Sequence, residues 1–385
     1  MIFFPLRLTL ETKVFYSSQQ SGGACFAKVY EKDVRQTAGA LRYGQGHIND
    51  TFCAYVQTPQ GDARRFILQR INTDTFTDPK GLMENIVGVT DHLRAAVEKS
   101  GGDPAREAMT VLRTRAGGTY FTDSEGGAWR AYPFIEGTVC LQSVQQPAQF
   151  YESARAFGRF QQLLAGYPAA TLHETIAKFH DTRQRLANFE KALAADVCGR
   201  AKDVRPEAEF VMARKADCAH LMDLLEKGEL PLRVTHNDTK LNNVLLDKAT
   251  GKGVCIIDLD TVMPGLSLND FGDSIRFGAN HSAEDEPDLS KVNFDISLYE
   301  IYAKGFLETA GGALTPMEKQ CLPWGAKLMT LECGMRFLTD YLEGDHYFKT
   351  HREGQNLDRC RTQFKLVADM EAQWAAMQAA AEKYF

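Results

Sequence analysis

Apolar positions along this chain follow two different periods, and the change between them divides it. Phe52, Ala54 and Val56 alternate after a glycine-rich stretch at 43–51, which predicts a β-hairpin. Residues 65–71 predict the next strand, and 111–114, 119–121 and 129–132 predict two or three more short ones. One helix interrupts them. Asp78 is its N-cap, Pro79 its first residue, and Leu82, Ile86, Val89 and Leu93 its apolar stripe, with Gly101 and Gly102 at the end. From Pro147 onward the spacing is mostly helical. Phe150, Ala154, Phe157, Gln161 and Leu164 share one face, further helices are expected from Asp181 to Leu193 and from Pro206 to Lys227, and a third runs over 294–309. A long helix capped by Thr315 and Pro316 and a last one carrying Leu366, Met370, Trp374 and Met377 complete the set. The helical part is broken by three apolar strands at 230–234, 244–246 and 254–257.

These patterns predict an α+β chain of two lobes. Residues 1–28 read as an appendage with a linker-like Ser/Gln/Gly run, 29–132 as a small β-rich N-lobe, 133–138 as a hinge, and 139–385 as a large helical C-lobe. The 385 residues suffice for two such cores. A net charge of −6 argues against a general nucleic-acid binder, which needs a basic face. Nine scattered cysteines without a Cys-x-x-Cys pair exclude a zinc or disulfide framework and fit a reducing cytosol. No apolar run has membrane-spanning length, and the opening Met1 to Leu6 is too short for a leader, so a cytoplasmic protein without a membrane partner is expected.

The polar break between the first two of those strands carries the candidate chemistry. It reads Thr235-His236-Asn237-Asp238-Thr239-Lys240-Leu241-Asn242-Asn243, and the third strand ends on Asp258. One His, two Asp, one Lys and one Asn are thereby expected near one point. The set suits phosphoryl transfer, which needs a base for a hydroxyl and oxygen ligands for Mg2+ on the phosphates of ATP. Asp238 is the candidate base, Asn243 and Asp258 the candidate metal ligands, and Lys240 the candidate cation beside the transferred phosphate. The plain alternative is a polar turn with two capped strand ends, and two matching elements in the right order speak against it. Asp270-Phe271-Gly272 spells a kinase metal motif but follows a loop, so Asp270 is expected instead as a helix N-cap that buttresses the catalytic loop.

A nucleotide would use the first lobe. Gly44 and Gly46 lack side chains that would block close approach, and the N–H groups from Ile48 to Thr51, including Asn49, can cap phosphates. A kinase carries a phosphate-binding lysine on the following strand, and this chain has none there. Arg70 is preferred for its charge, and Gln69, on the other face, is the alternative. Glu84 is either the partner of Arg70 or an exposed glutamate. The hinge backbone would meet the adenine edge, with Phe134 or Ile135 covering a face. The acidic stretch at 284–288 reads as solvated surface, and Arg336 and Asp340, on one side of a mostly apolar helix, either point together into a cleft or, as periodicity alone favours, form an exposed i,i+4 pair worth only ~0.3–0.5 kcal/mol.

Taken together, Gly46 to Asn49, Phe66 to Asn72, Phe179 to Thr182, His236 to Asn243, Asp258 to Gly265, Asp270 to Asp273 and Arg336 to Leu342 resemble the aminoglycoside phosphotransferase and choline kinase superfamily, and within it the N-acetylhexosamine 1-kinases. The resemblance runs from about residue 43 to 349 and implies the protein-kinase-like fold. Where commoner relatives have His-Gly-Asp, this chain has His-Asn-Asp. The resemblance implies that Asp238 takes the proton of the anomeric hydroxyl of N-acetylglucosamine or N-acetylgalactosamine and that ATP supplies the phosphoryl group. It further implies that Arg336, and His47 from the first lobe, touch the sugar. Other acceptors (an aminoglycoside, choline, homoserine, another sugar) and a non-catalytic nucleotide-binding regulator are the rival readings.

Overall fold

The computed structural model describes residues 36–44, 48–57 and 63–385. The expected appendage at 1–28 and the candidate residues Gly46 and His47 lie outside them. The chain forms two compact units, one built from the described residues through Asp91 and from Met109–Glu136, the other from His92–Ala108 and Gly137–Phe385.

The first unit is a five-stranded antiparallel sheet. Its strands are β1 (Gln36–Arg42), β2 (Asp50–Gln57), β3 (Ala63–Arg70), β4 (Phe121–Thr122) and β5 (Ala128–Pro133), in the order β1-β2-β3-β5-β4. The alternation read from the sequence decides its two faces. Ala54, Val56, Phe66, Leu68 and Ala131 cluster on one face, joined by Phe52, Leu112, Phe121 and Trp129. The expected strand at 111–114 is not a strand, although the Leu112 N–H still donates to the Ala131 carbonyl at 2.9 Å. Helix α1 (Pro79–Lys99) starts where Asp78 accepts the Gly81 N–H at 3.1 Å.

The second unit is mainly helical, with strands β6 (Thr138–Val139), β7 (Arg233–Thr235), β8 (Val244–Asp247), β9 (Gly253–Ile256) and β10 (Met263–Gly265). They pair as a sheet of order β6-β8-β9 and a ribbon β10-β7. The helices used below are α2 (Pro147–Leu163), α3 (Thr182–Ala195), α4 (Ser267–Gly278), α5 (Ile296–Ala310), α6 (Leu322–Glu343) and α7 (Gln355–Ala372). The helix expected from Pro206 to Lys227 is broken into Arg205–Met212 and His220–Glu226. The polar run Ala213 to Asp217 supplies no apolar stripe to carry it across, and Arg214 and Asp217 are instead drawn to Glu371 and Lys327. Among the fully buried side chains of its core are the rings of Phe157, Phe271, Tyr299, Tyr302 and Phe306. Helices α4 and α6 cross at two glycines. A Cβ on Gly272 would lie 2.2 Å from the Gly325 carbonyl oxygen, so the backbones touch where side chains would normally stand. That crossing brings α4 under the polar loop between β7 and β8.

Candidate active site

The loop from His236 to Asn243 is held through its backbone and through the side chains of His236, Asn237, Thr239 and Asn243. Antiparallel pairing of β7 with β10 sets Thr235 opposite Met263, and the Thr235 hydroxyl donates to the Met263 carbonyl at 3.0 Å. Asn237 then turns into the left-handed region at φ 64°, which asparagine tolerates better than most residues. This accounts for the His-Asn-Asp sequence, since glycine and asparagine both meet the same backbone demand. The Asn237 amide donates to the Thr261 carbonyl at 2.8 Å, and the Thr261 hydroxyl donates to the His236 carbonyl at 2.6 Å.

One face of α4 supports the loop from below. Asp270 is fully buried, and its carboxylate accepts the His236 N–H at 3.0 Å, the Asn237 N–H at 2.8 Å and the side-chain amide of Gln161. Asp273 accepts the Thr239 N–H at 2.8 Å, and Ser274 donates to the Thr239 carbonyl at 2.8 Å. Residues three and four apart share a helix face, so Asp270, Asp273 and Ser274 act together. Asp270 therefore does buttress the loop, but from inside α4. The helix begins three residues earlier, so Asp270 is not its N-cap. Burial pushes the Asp270 carboxyl up from its ordinary range, against the pull of the two N–H groups and the Gln161 amide.

Above this platform stands Asp238, 30% exposed, with the Lys240 ammonium 2.8 Å from its Oδ1. Burial opposes its ionisation, but the Lys240 ammonium outweighs it and holds the carboxyl below the usual range. Lys240 is raised in turn by Asp238. His236 is oriented by its own bonds. Its Nε2–H donates to the Ile257 carbonyl at 2.9 Å, and its Nδ1 accepts the Asp238 N–H at 3.3 Å.

The metal candidates lie on adjacent strand ends. Register sets Val244 opposite Ile256, and the Ile257 N–H donates to the Asn243 carbonyl at 2.9 Å, so Asn243 and Asp258 leave the β8–β9 pair side by side. The Asn243 Nδ2 donates to the Asp238 carbonyl at 2.8 Å and to its Oδ2 at 3.1 Å. A carbonyl can only accept, so this bond fixes the amide and turns Oδ1 the other way, as an oxygen donor. Asp258, exposed and left-handed at φ 62°, adds a carboxylate. One amide oxygen and one carboxylate are a donor set that fits Mg2+, which takes few protein ligands and completes its shell with phosphate and water.

Within the first unit, the side chains of Thr51, Gln69 and Arg130 form a row across β2, β3 and β5. Gln69 donates to the Thr51 hydroxyl at 3.0 Å and accepts from Arg130 Nε at 3.1 Å. Arg130 is 1% exposed and was not among the sequence candidates. Arg70 lies on the other face, near Asp123 and Gly127, and Glu84 is 3.8 Å from Lys80. Asn49 accepts the Asn72 N–H at 2.9 Å, which ties the glycine-rich turn to the end of β3. Phe134 stacks against the Arg65 guanidinium at 3.8 Å, next to Ile135. Gly44 is left-handed at φ 78°.

Arg336 is not paired with Asp340. Its guanidinium sits among the rings of Phe179, Phe348 and Tyr347, at 5.0, 5.3 and 5.7 Å. Asp340 is buried and accepts the N–H groups of His346, Tyr347 and Phe348, which fixes the loop that carries two of those rings. The acidic stretch is likewise bound: Glu284 pairs with Arg276 at 2.8 Å and Asp285 with Arg352 at 3.5 Å. The stretch lies at the surface as expected, with Glu284 and Asp288 exposed, and its carboxylates are also ion-paired.

A β-rich unit, a helical unit and a loop presenting Asp238, Lys240 and Asn243 beside Asp258 define a protein-kinase-like phosphotransferase fold. The phosphotransferase enzyme family, APH, matches residues 40–303, and the chain belongs to it. Solved structures share the fold at low identity. The aminoglycoside phosphotransferase of Alicyclobacillus acidocaldarius is 13% identical with a TM-score of 0.57, over 92% of this chain and 94% of that one. An amicoumacin kinase solved with AMP-PNP and Ca2+ is 14% identical with a TM-score of 0.56, over 93% and 94%. Spectinomycin phosphotransferase, solved with ADP and spectinomycin, is 14% identical with a TM-score of 0.55, over 94% and 99%. Among the described residues no helix is long and apolar enough to cross a membrane.

Proposed function

We propose that this chain is an ATP-dependent kinase that phosphorylates the anomeric C1 hydroxyl of an N-acetylhexosamine, either N-acetylglucosamine or N-acetylgalactosamine, to the α-1-phosphate. The observation that carries phosphoryl transfer is the fixed group of Asp238, Lys240, Asn243 and Asp258 on two strand ends. Nucleotides and Ca2+ in related kinase structures support ATP and a divalent ion here. The choice of sugar rests on the sequence resemblance, supported by a guanidinium among aromatic rings at Arg336.

Asn243 and Asp258 would hold Mg2+, which when bound neutralises charge on the phosphates. Asp238 accepts the proton of the C1 hydroxyl as its oxygen bonds to the γ-phosphorus of ATP and the bond to the β,γ-bridging oxygen breaks, leaving ADP. Its depressed carboxyl keeps it ionised and ready to accept. Lys240 stabilises charge on the transferred group. The nucleotide falls to Gly44, Gly46, Asn49 and Thr51 and to Phe134 or Ile135, with Arg70 or Gln69 in place of the usual lysine. Gln69 gains support from the buried Arg130 beside it. A cationic acceptor such as choline or an aminoglycoside needs free carboxylates, and the acidic stretch at 284–288 has Glu284 and Asp285 committed to arginines.

The test is ATP consumption with Mg2+ against N-acetylglucosamine, N-acetylgalactosamine, glucose, galactose, choline and kanamycin, with phosphorus NMR on the product. Preference for the N-acetyl sugars and a phosphate coupled to the anomeric proton is expected. Turnover of another acceptor alone rejects the sugar assignment, and ATP binding with no turnover of any acceptor rejects the kinase.

A further inference from the structure

His180 stands between two acceptors at the edge of the catalytic loop. Its Nδ1 is 2.8 Å from Glu332 Oε1 and its Nε2 is 3.2 Å from the Asn237 carbonyl oxygen. A carboxylate and a carbonyl both accept, so the ring bridges the two acceptors. The side chains are 6% and 1% exposed. Nothing in the transfer chemistry uses either of them.

Both groups are gripped. Asp181 caps α3 by accepting the Gln184 N–H at 3.2 Å, and Arg185 donates twice to the Phe179 carbonyl at 3.0 and 2.6 Å, so the peptide before His180 is clamped. The Thr182 hydroxyl donates to the other Glu332 oxygen at 2.9 Å. Glu332 lies one turn before Arg336 on α6, and burial of its carboxyl is outweighed by His180, Arg185 and Arg336, which hold it ionised. The carbonyl that His180 meets belongs to the left-handed Asn237, whose peptide leads directly into Asp238. Asp270 holds the N–H side of Asn237 and His180 its carbonyl side.

We propose that the His180–Glu332 pair is a positioning device for the catalytic base: it fixes the Asn237–Asp238 peptide and ties it to the helix that carries Arg336. This rests on Asp238 being the base. It does not depend on which acceptor is used.

The test is a double-mutant cycle on whichever acceptor the wild type turns over. His180→Phe and Glu332→Gln each lower kcat by about 10- to 100-fold, by analogy with the cost of removing the outer partner that orients a metal-ligating residue. The Kd for ATP stays at its wild-type value. Combined with Asp238→Asn, neither adds a further loss, because the pair acts only through that side chain. A merely structural role would lower the residual activity of Asp238→Asn as well, and that additivity overturns the proposal. Hydrogen exchange gives a second readout that needs no acceptor. Amides at 236–243 exchange faster in both variants than in wild type, and unchanged protection there overturns the proposal even if the chain proves to phosphorylate none of the panel.

Discussion

Asp270→Asn is the sharpest single perturbation of this site, because three donors converge on one buried carboxylate. Oδ1 takes the Asn237 N–H and Oδ2 takes both the His236 N–H and the Gln161 amide. Asparagine offers one oxygen. Its better orientation puts that oxygen at the Oδ2 position and turns its NH2 toward the Asn237 N–H. Two bonds then fall from charge-assisted to neutral strength, about 1 kcal/mol each, and one buried N–H is orphaned at about 1–3 kcal/mol. Against this, the variant no longer buries a charge, and the raised carboxyl shows that burial does oppose ionisation here. The balance is a loss of about 2–4 kcal/mol. The N–H left unpaired belongs to the residue before the base, so catalysis falls with stability.

The assay is urea unfolding followed by tryptophan fluorescence, with kcat measured where the variant is fully folded. A lower midpoint at unchanged slope and a reduced kcat are expected. Wild-type stability and kcat would refute the reasoning, since the carboxylate would not then be what holds the loop.

Lys240→Met should move the acid limb of kcat/KM to higher pH. The ammonium that holds the Asp238 carboxyl down is removed while burial, which raises it, remains. A base is active when ionised, so activity is lost at a higher pH as acid is added, and kcat/KM reports this for the free enzyme. An unmoved limb would mean that Asp238 is not the titrating base. Gly272→Ala should lower the melting temperature. Its Cβ would meet the Gly325 carbonyl at 2.2 Å, and forcing α4 from α6 costs about 1–3 kcal/mol or more. Circular dichroism melting checks it, and an unchanged midpoint would show that the crossing can open freely.

The sequence exposes what is contiguous. Alternation at 52–56 and 66–68 gave the apolar sheet face correctly, because period and burial are properties of one strand. The strand ends that set Asn243 beside Asp258 were readable for the same reason, as a short turn joins β8 to β9. The choice between Arg70 and Gln69 was open because a single strand does not say which of its faces is sealed. The apolar cluster seals the face of Phe66 and Leu68, and the partner of Gln69, Arg130, is 61 residues away. Asp340 is hard to read from the sequence for a related reason. Spacing of four suggested Arg336, but the three N–H groups it accepts belong to a loop beyond the helix end, where no periodicity applies.

The supports of the catalytic loop form the class that sequence reading reaches least. Asp273, Ser274 and His180 each serve a backbone group, and a backbone group leaves no letter in the sequence. Asp270 shows how this misleads: an aspartate near a helix start reads as a cap because capping is the commonest use of a carboxylate beside N–H groups. Here the N–H groups come from a loop 33 and 34 residues earlier, delivered by the glycine crossing of α4 and α6. The one usable signal is the spacing Asp270, Asp273, Ser274, a polar face on a helix in which those three positions are all buried. A helix that buries carboxylates on one face needs hydrogen-bond donors on that side, from side chains or backbone. In this chain those donors include, beside Arg276 and Gln161, the peptides on either side of the candidate base.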